Sequence, residues 1–200
     1  MAENTFIKSE MKRLPIVLIS LILLYSFGCG YKHKSAESDP LAQCRDTIIG
    51  KFDGNSIDTL IAEPIDTTID RSLWNWRIYG KNNTVDTLIL SQRFGVRLIQ
   101  EGDLDGNGTD EFGIRREAEA GTWDNYCVYT YDKGEWKYLI NPIWTYGNHY
   151  YTDLNNGNDV VERTNQSGYV TVRFSDIRND DFCIVDTLTP IAPLSLSSQE

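Results

Sequence analysis

The chain has 200 residues, of which 40% are hydrophobic and 24% charged, and its formal net charge at pH 7 is −10. This acidic balance argues against nucleic acid or an anionic membrane surface as a partner. About 155 residues follow the N-terminal segments described next, enough for one domain with its own core or for three small packed repeats.

Residues 1–28 have the pattern of a secretion signal. Lys12 and Arg13 precede an uncharged run of 12 residues, Ile16 to Phe27. Such a run suits a signal peptide and is shorter than the ~20 residues that span a bilayer. Met11, just before the basic pair, is an alternative start of the chain.

Ser26-Phe-Gly-Cys29 ends the apolar run and resembles a lipobox, the site at which bacterial lipoproteins are cleaved and acylated. The resemblance implies cleavage before Cys29 and a diacylglycerol on its sulfur. We expect an outer-membrane lipoprotein of the cell envelope, facing the periplasm or the cell surface. It is Bacteroidota-like because the tripeptide Asp-Thr-Ile/Leu/Thr resembles an O-glycosylation acceptor motif of that group and occurs at Asp46, Asp58, Asp66, Asp86 and Asp186. Because position 26 is Ser where Leu is commonest, a plain signal peptide or an uncleaved anchor stays open. Residues 29–43 are polar and predict a flexible linker.

Three cysteines remain after Cys29, namely Cys44, Cys127 and Cys183. An odd number in an oxidising compartment allows one disulfide with one free thiol. Cys127 and Cys183 lie in strand-like surroundings, so buried unpaired thiols are an equal alternative.

Residues 44–190 predict an all-β domain, followed by a C-terminal tail, 191–200. Gly134 lies between two aromatic segments and predicts a hairpin. No segment after residue 45 has sustained helical periodicity. β-Branched and aromatic residues alternate in the predicted strands, which are Trp74 to Tyr79, Thr84 to Leu90, Val96 to Gln100, Tyr126 to Tyr131, Trp136 to Ile140, Tyr169 to Phe174 and Phe182 to Thr187.

The stretch from Gly102 to Phe112 is rich in oxygen ligands, and Gly106 and Gly108 allow it to fold into a tight loop. Calcium suits it because this ion takes about 6–8 oxygen ligands in flexible geometry. An EF-hand is excluded, since the twelfth position from Asp103 is Ile114. A plain turn without metal stays open. The predicted ligands are Asp103, Asp105, Asn107, the carbonyl of Thr109, and Glu111.

This loop resembles the calcium loop of FG-GAP/VCBS repeats, the blade motif of integrin-type β-propellers. In that motif Asp-x-Asp-Gly-Asn-Gly-x-x-Asp/Glu is followed directly by a strand, here Phe112 to Ile114. The resemblance implies calcium on the ligands just named, with Asp110 one place off the family's ligand position. It is specific over about a dozen residues and suggestive over about 50, so it implies a local site more than a whole fold.

The loop has a partial copy 52 residues earlier, because Gly50 to Leu60 aligns on Gly102 to Phe112 without a gap. The copy has Lys51 and Thr59 at two ligand positions, so we expect it to bind no metal. A third, shorter copy begins at Asp153 and predicts a turn. Periods of about 40–50 residues are typical of propeller blades. We therefore predict a small propeller-like or sandwich-like domain of about three four-stranded repeat units.

Catalysis is the less favoured class of function. His33 and His149 are the only histidines, and nucleophile, P-loop and dinucleotide motifs are absent. Paired carboxylates for glycoside hydrolysis stay open. Trp74, Trp76 and Trp136 have strand patterns typical of a core. The candidate ligand-binding residues are Trp123, Tyr146, His149, Tyr150 and Tyr151.

The favoured hypothesis is a lipid-anchored exported protein with a structural calcium loop, acting as a non-catalytic module that binds an unknown protein or glycan. The alternative is a glycan-binding or carbohydrate-active surface protein. A third hypothesis, an inhibitor or immunity lipoprotein, is supported by the acidity alone.

Overall fold

The computed structural model describes residues 44–66, 74–91, 95–116, 123–147, 149, 154, 159–176, 178 and 183–196. The predicted signal peptide, Cys29 and the linker lie outside these residues. Within them the secondary structure is all-β, as predicted. The strands are β1 (Asp46–Gly50), β2 (Asp58–Asp66), β3 (Asn75–Gly80), β4 (Leu88–Leu90), β5 (Val96–Gly102), β6 (Glu111–Arg116), β7 (Trp123–Asp132), β8 (Glu135–Tyr138), β9 (Ile143–Tyr146), β10 (Val161–Arg163), β11 (Tyr169–Asp176), β12 (Cys183–Pro190) and β13 (Leu194–Ser195).

The strands form three antiparallel sheets. The first sheet has the order β1-β2-β3-β4, and the third has the order β10-β11-β12. The middle sheet has the order β13-β8-β7-β6-β5, with β9 also paired to β7. In the residues that the structure describes, none of these sheets closes into a barrel, and most strands pair with the strand before or after them in the chain. Helices long and apolar enough to cross a membrane are not found in the described segments.

The β7–β8 hairpin forms where the sequence predicts it. Tyr131 pairs with Trp136, which leaves a turn whose central residues, Lys133 and Gly134, have φ of 55° and 84°. Positive φ at both central residues is the backbone of a type I′ turn, which matches the twist of the two strands.

The segment after residue 190 is not only the tail that the sequence predicts, because Leu194 and Ser195 pair with β8 as strand β13.

The middle sheet has a hydrophobic core on each face. Leu98, Phe112 and Ile114 belong to the core shared with the first sheet. Tyr126 and Val128 point to the other face and belong to the core shared with the third sheet. Strand alternation accounts for this arrangement, because successive side chains point to opposite faces. The middle sheet therefore lies at the centre of the domain's packing.

The predicted core tryptophans are buried. Trp74 and Trp76 lie two residues apart, with ring centroids 6.3 Å from each other. Trp136 packs against Phe112 at 5.2 Å, and its indole N–H donates to the carbonyl of Asp86 at 2.6 Å. Because Asp86 precedes β4, this bond ties the first sheet to the middle one. These three residues are part of the structure's interior and are not a binding surface.

Candidate functional site

The first two copies of the repeat are equivalent hairpin loops. One loop joins β1 to β2, and the other joins β5 to β6. Asp53 in the first and Asp105 in the second each accept the backbone N–H two residues later, from Asn55 and Asn107, at 2.9 Å. These are Asx-turns, which fix the loop without any metal. Of the third copy, only Leu154 and the final residues are described, and Leu154 is buried.

Three of the predicted ligands converge at the second loop. One carboxylate oxygen from each of Asp103, Asp105 and Glu111 lies within 4.8 Å of the other two. Glu111 has no exposed surface, although it is the first residue of a strand. Its two oxygens accept hydrogen bonds from the backbone N–H of Leu104 at 2.8 Å and from the hydroxyl of Thr130 at 2.9 Å. The loop thus folds over a buried acid.

Burial, and after it the charges of Asp105 and Asp103, together raise the pKa of Glu111 to about 8. The pKa of Asp105 is raised as well, first by burial and then by the charge of Asp103. Hydrogen bonds to both groups oppose these shifts but do not cancel them. A divalent cation among the three carboxylates would remove this repulsion, and their oxygens are the ligand type that calcium or magnesium takes.

The remaining predicted ligands shape the loop. The amide oxygen of Asn107 accepts the backbone N–H of Thr109 at 2.6 Å, and its nitrogen donates to Asp105 at 2.8 Å. Asp103 accepts the backbone N–H groups of Gly106 at 2.7 Å and of Gly108 at 3.2 Å. Asn107 therefore orients Asp105, while the two glycine amides hold Asp103.

The second loop also contacts the other two sheets. Asp110 accepts the backbone N–H of Lys51 at 2.7 Å and donates its own N–H to the Lys51 carbonyl at 3.0 Å, which joins it to the first sheet. Arg163 of β10 donates to the carbonyl of Asp103 at 3.0 Å, which joins it to the third sheet. The acidic cluster therefore lies where all three sheets are connected. Sequence spacing did not indicate Arg163, which is 60 residues from Asp103.

The aromatic candidates that the structure describes also form a cluster. Trp123 packs against Tyr146 with ring centroids 5.7 Å apart, and Tyr146 packs against His149 at 5.5 Å. Tyr150 and Tyr151 lie outside the described residues. Ser175, which sequence analysis did not identify, accepts the backbone N–H of Tyr146 at 2.7 Å and bonds Nδ1 of His149 at 2.9 Å.

Beside this cluster lies a cavity of 680 Å³. It is bounded by β9 and the segment before it on one side, and by β11 and β12 on the other. Its lining consists of Trp123, Ile140, Asn141, Pro142, Ile143, Trp144, Val172, Phe174, Ser175 and Thr189.

The bond between Ser175 and His149 does not by itself make a hydrolase. A nucleophilic serine also needs a group that orients the histidine and donors for the oxyanion. Asp176, the acid next to Ser175 in the chain, is instead bound by Arg178, which holds the pKa of this carboxyl down at about 2. The pair is better placed to hydrogen-bond a ligand.

The three cysteines that the structure describes are thiols, not disulfides. Cys183 is exposed, while Cys44 is half-buried. The thiol of Cys127 donates to the side-chain oxygen of Asn125 at 3.1 Å.

Comparisons of the chain with protein-family models, with curated proteins and with solved structures found no match. The resemblance of the loop to FG-GAP/VCBS repeats therefore stays a prediction. The function of this chain has to be inferred from the acidic loop and the aromatic cavity themselves.

Proposed function

We propose that this chain is an exported, lipid-anchored binding module, without catalytic activity, whose second hairpin loop binds a structural calcium ion. The convergence of three carboxylates within 4.8 Å of one another, one of them fully buried, is the observation that carries the proposal. Calcium is the favoured ion because the loop mixes carboxylates with amide and carbonyl oxygens. Attachment at Cys29 is checked by the intact mass of the native protein, which should lack residues 1–28 and carry a diacylglycerol.

A structural role follows from the position of the loop. The cluster is held by Leu104 of the loop itself and by Thr130 of β7. The loop is bonded to Lys51, just after β1 of the first sheet, and to Arg163 of β10 in the third. An ion that fixes the loop would therefore stabilise the junction of all three sheets. Binding of an ion to the folded state alone raises the free energy of unfolding.

Isothermal titration calorimetry of the calcium-free protein tests the ion. We expect one calcium per chain in the wild type, and a loss of affinity of at least about tenfold in Asp105→Asn because one ligand charge is removed. Asp53→Asn is a matched control, since Asp53 makes the same turn in the first loop without an acidic cluster. Equal calcium binding by Asp105→Asn and the wild type, or no binding heat in the wild type, would contradict the proposal.

A further inference from the structure

The cavity beside the aromatic cluster has the size of a ligand site. Its 680 Å³ falls within the range of about 300–1,000 Å³ that small-molecule sites occupy. Strand β9 and the segment before it form one wall, and β11 and β12 form the other. Both walls belong to antiparallel sheets that hydrogen bonds hold in register, and the hydrogen bond from Tyr146 to Ser175 joins the two sheets. The cavity is therefore preformed.

Two tryptophans give the cavity flat apolar surfaces. Trp123 pairs with Tyr146 across β7 and β9, and Trp144 lies two residues before Tyr146, so both indoles point to the same face of this strand pair. Trp144 is 55% exposed, which is unusual for so large an apolar side chain. An exposed indole at the rim of an apolar cavity is what a ligand would cover.

The lining also restricts the chemistry of the ligand. All ten lining residues that the structure describes are uncharged, so an ionised ligand would lose its hydration without gaining a partner among them. Besides the two indole N–H groups, the polar side chains of this described lining are those of Asn141, Ser175 and Thr189. Ser175 bonds Tyr146 and His149, which leaves its hydroxyl one further hydrogen bond. A saccharide has a hydroxyl on most ring carbons and would leave several of them unpaired against this wall.

We propose that this cavity binds a small, uncharged molecule with an apolar ring system and a single hydrogen-bonding group. The ring system packs against Trp123 and Trp144, and the polar group lies at the Ser175 end of the cavity. This inference rests on the proposed binding function and names the class of its ligand. It is independent of the calcium loop, whose residues do not line the cavity.

Titration with N-phenyl-1-naphthylamine, an uncharged probe that fluoresces in apolar sites, tests the inference. We expect a saturable rise in fluorescence with one probe per chain. Thr189→Trp should fill the cavity and abolish the rise, and Trp144→Ala should weaken binding at least about tenfold. Leu188→Trp, on the exposed face of the same strand, and Ile49→Ala, which removes an equally exposed side chain from β1, should bind like the wild type.

Competition then defines the ligand class. We expect 2-naphthol, which has a ring system and one hydroxyl, to displace the probe. The charged 2-naphthalenesulfonate should compete at least about tenfold more weakly, and maltotriose should not compete. Displacement by maltotriose would overturn the assignment in favour of a glycan site.

Two outcomes would overturn the assignment of this cavity as a ligand site. One is unchanged probe binding in both Thr189→Trp and Trp144→Ala, and the other is no saturable binding in the wild type. Calorimetry with calcium on the same samples separates this outcome from failure of the calcium site, and a cooperative urea unfolding transition shows that each variant is folded.

Discussion

Adding calcium at about one hundred times its dissociation constant should raise the free energy of unfolding of the wild type by about 2.7 kcal/mol. For a domain of this size the melting temperature should then rise by about 5–10 °C. The physical reason is that Asp103, Asp105 and Glu111 are held together in the folded state and separate on unfolding. Thermal unfolding in chelator and in a calcium titration measures the effect.

Relative to the wild type, Glu111→Gln should raise the free energy of unfolding in chelator and lower it in calcium. In chelator at neutral pH the variant should be more stable than the wild type, because folding no longer has to protonate Glu111 or bury its charge beside Asp105 and Asp103. Its amide can keep both hydrogen bonds, accepting from Leu104 N–H and donating to the Thr130 hydroxyl. In calcium the variant should be less stable, because it has lost a charged ligand.

Glu111 also predicts that the stability of the wild type in chelator depends on pH. The pKa of Glu111 is about 8 in the folded state against an ordinary value of 4.5, so the folded protein holds this proton more tightly than the unfolded chain. The contribution of Glu111 to the free energy of unfolding is therefore largest below pH 4.5, and it is lost as the pH rises towards about 8. Glu111→Gln should reduce this slope. Part of it should remain, because burial also raises the pKa of Glu101 to about 8.

Asp53→Asn is again the control, and it should respond to calcium as the wild type does. A melting temperature that is the same in chelator and in calcium would contradict the structural ion. An equal effect of Glu111→Gln in both conditions would show that the loop holds no metal and is a turn fixed by its own hydrogen bonds.

The sequence predicts those parts of the fold that depend on residues close together in the chain. The positive φ at Lys133 and Gly134 follows from a two-residue turn between aromatic strands. The burial of Trp76 on β3, and of Trp74 just before that strand, follows from their spacing of two residues. The acidic loop was found for the same reason, since Asp103, Asp105 and Glu111 are close in the chain as well as in space.

Contacts between distant segments could not be predicted in this way. Ser175 meets His149 across 26 residues, and Arg163 meets Asp103 across 60. Such pairs depend on which sheets pack together, and a strand's alternation shows that one face is buried without showing against what. For a related reason the sequence predicts only a tail at Leu194 and Ser195, because two residues are too few to show a strand pattern.

Gly113→Ala should be among the most destabilising single substitutions in the domain, at about 3 kcal/mol or more. Tyr126 on β7 crosses the central strand β6 at Gly113, and its hydroxyl donates to Glu101 on β5. A Cβ at position 113 would lie 1.9 Å from this hydroxyl oxygen and 2.3 Å from the ring carbon that bears it. Tyr126 is fully buried and cannot move aside. Urea unfolding measured with calcium present gives the cost.

A double-mutant cycle separates this steric cause from a backbone effect. In a Tyr126→Ala background the substitution Gly113→Ala should be nearly neutral, because the clashing ring is gone and alanine suits a strand at least as well as glycine. In a Tyr126→Phe background most of the cost should persist, since the ring carbon stays 2.3 Å from the new Cβ. The same cost in all three backgrounds would contradict the steric explanation. The glycine of Phe112-Gly-Ile114 would then be required by its backbone and not by the tyrosine that lies over it.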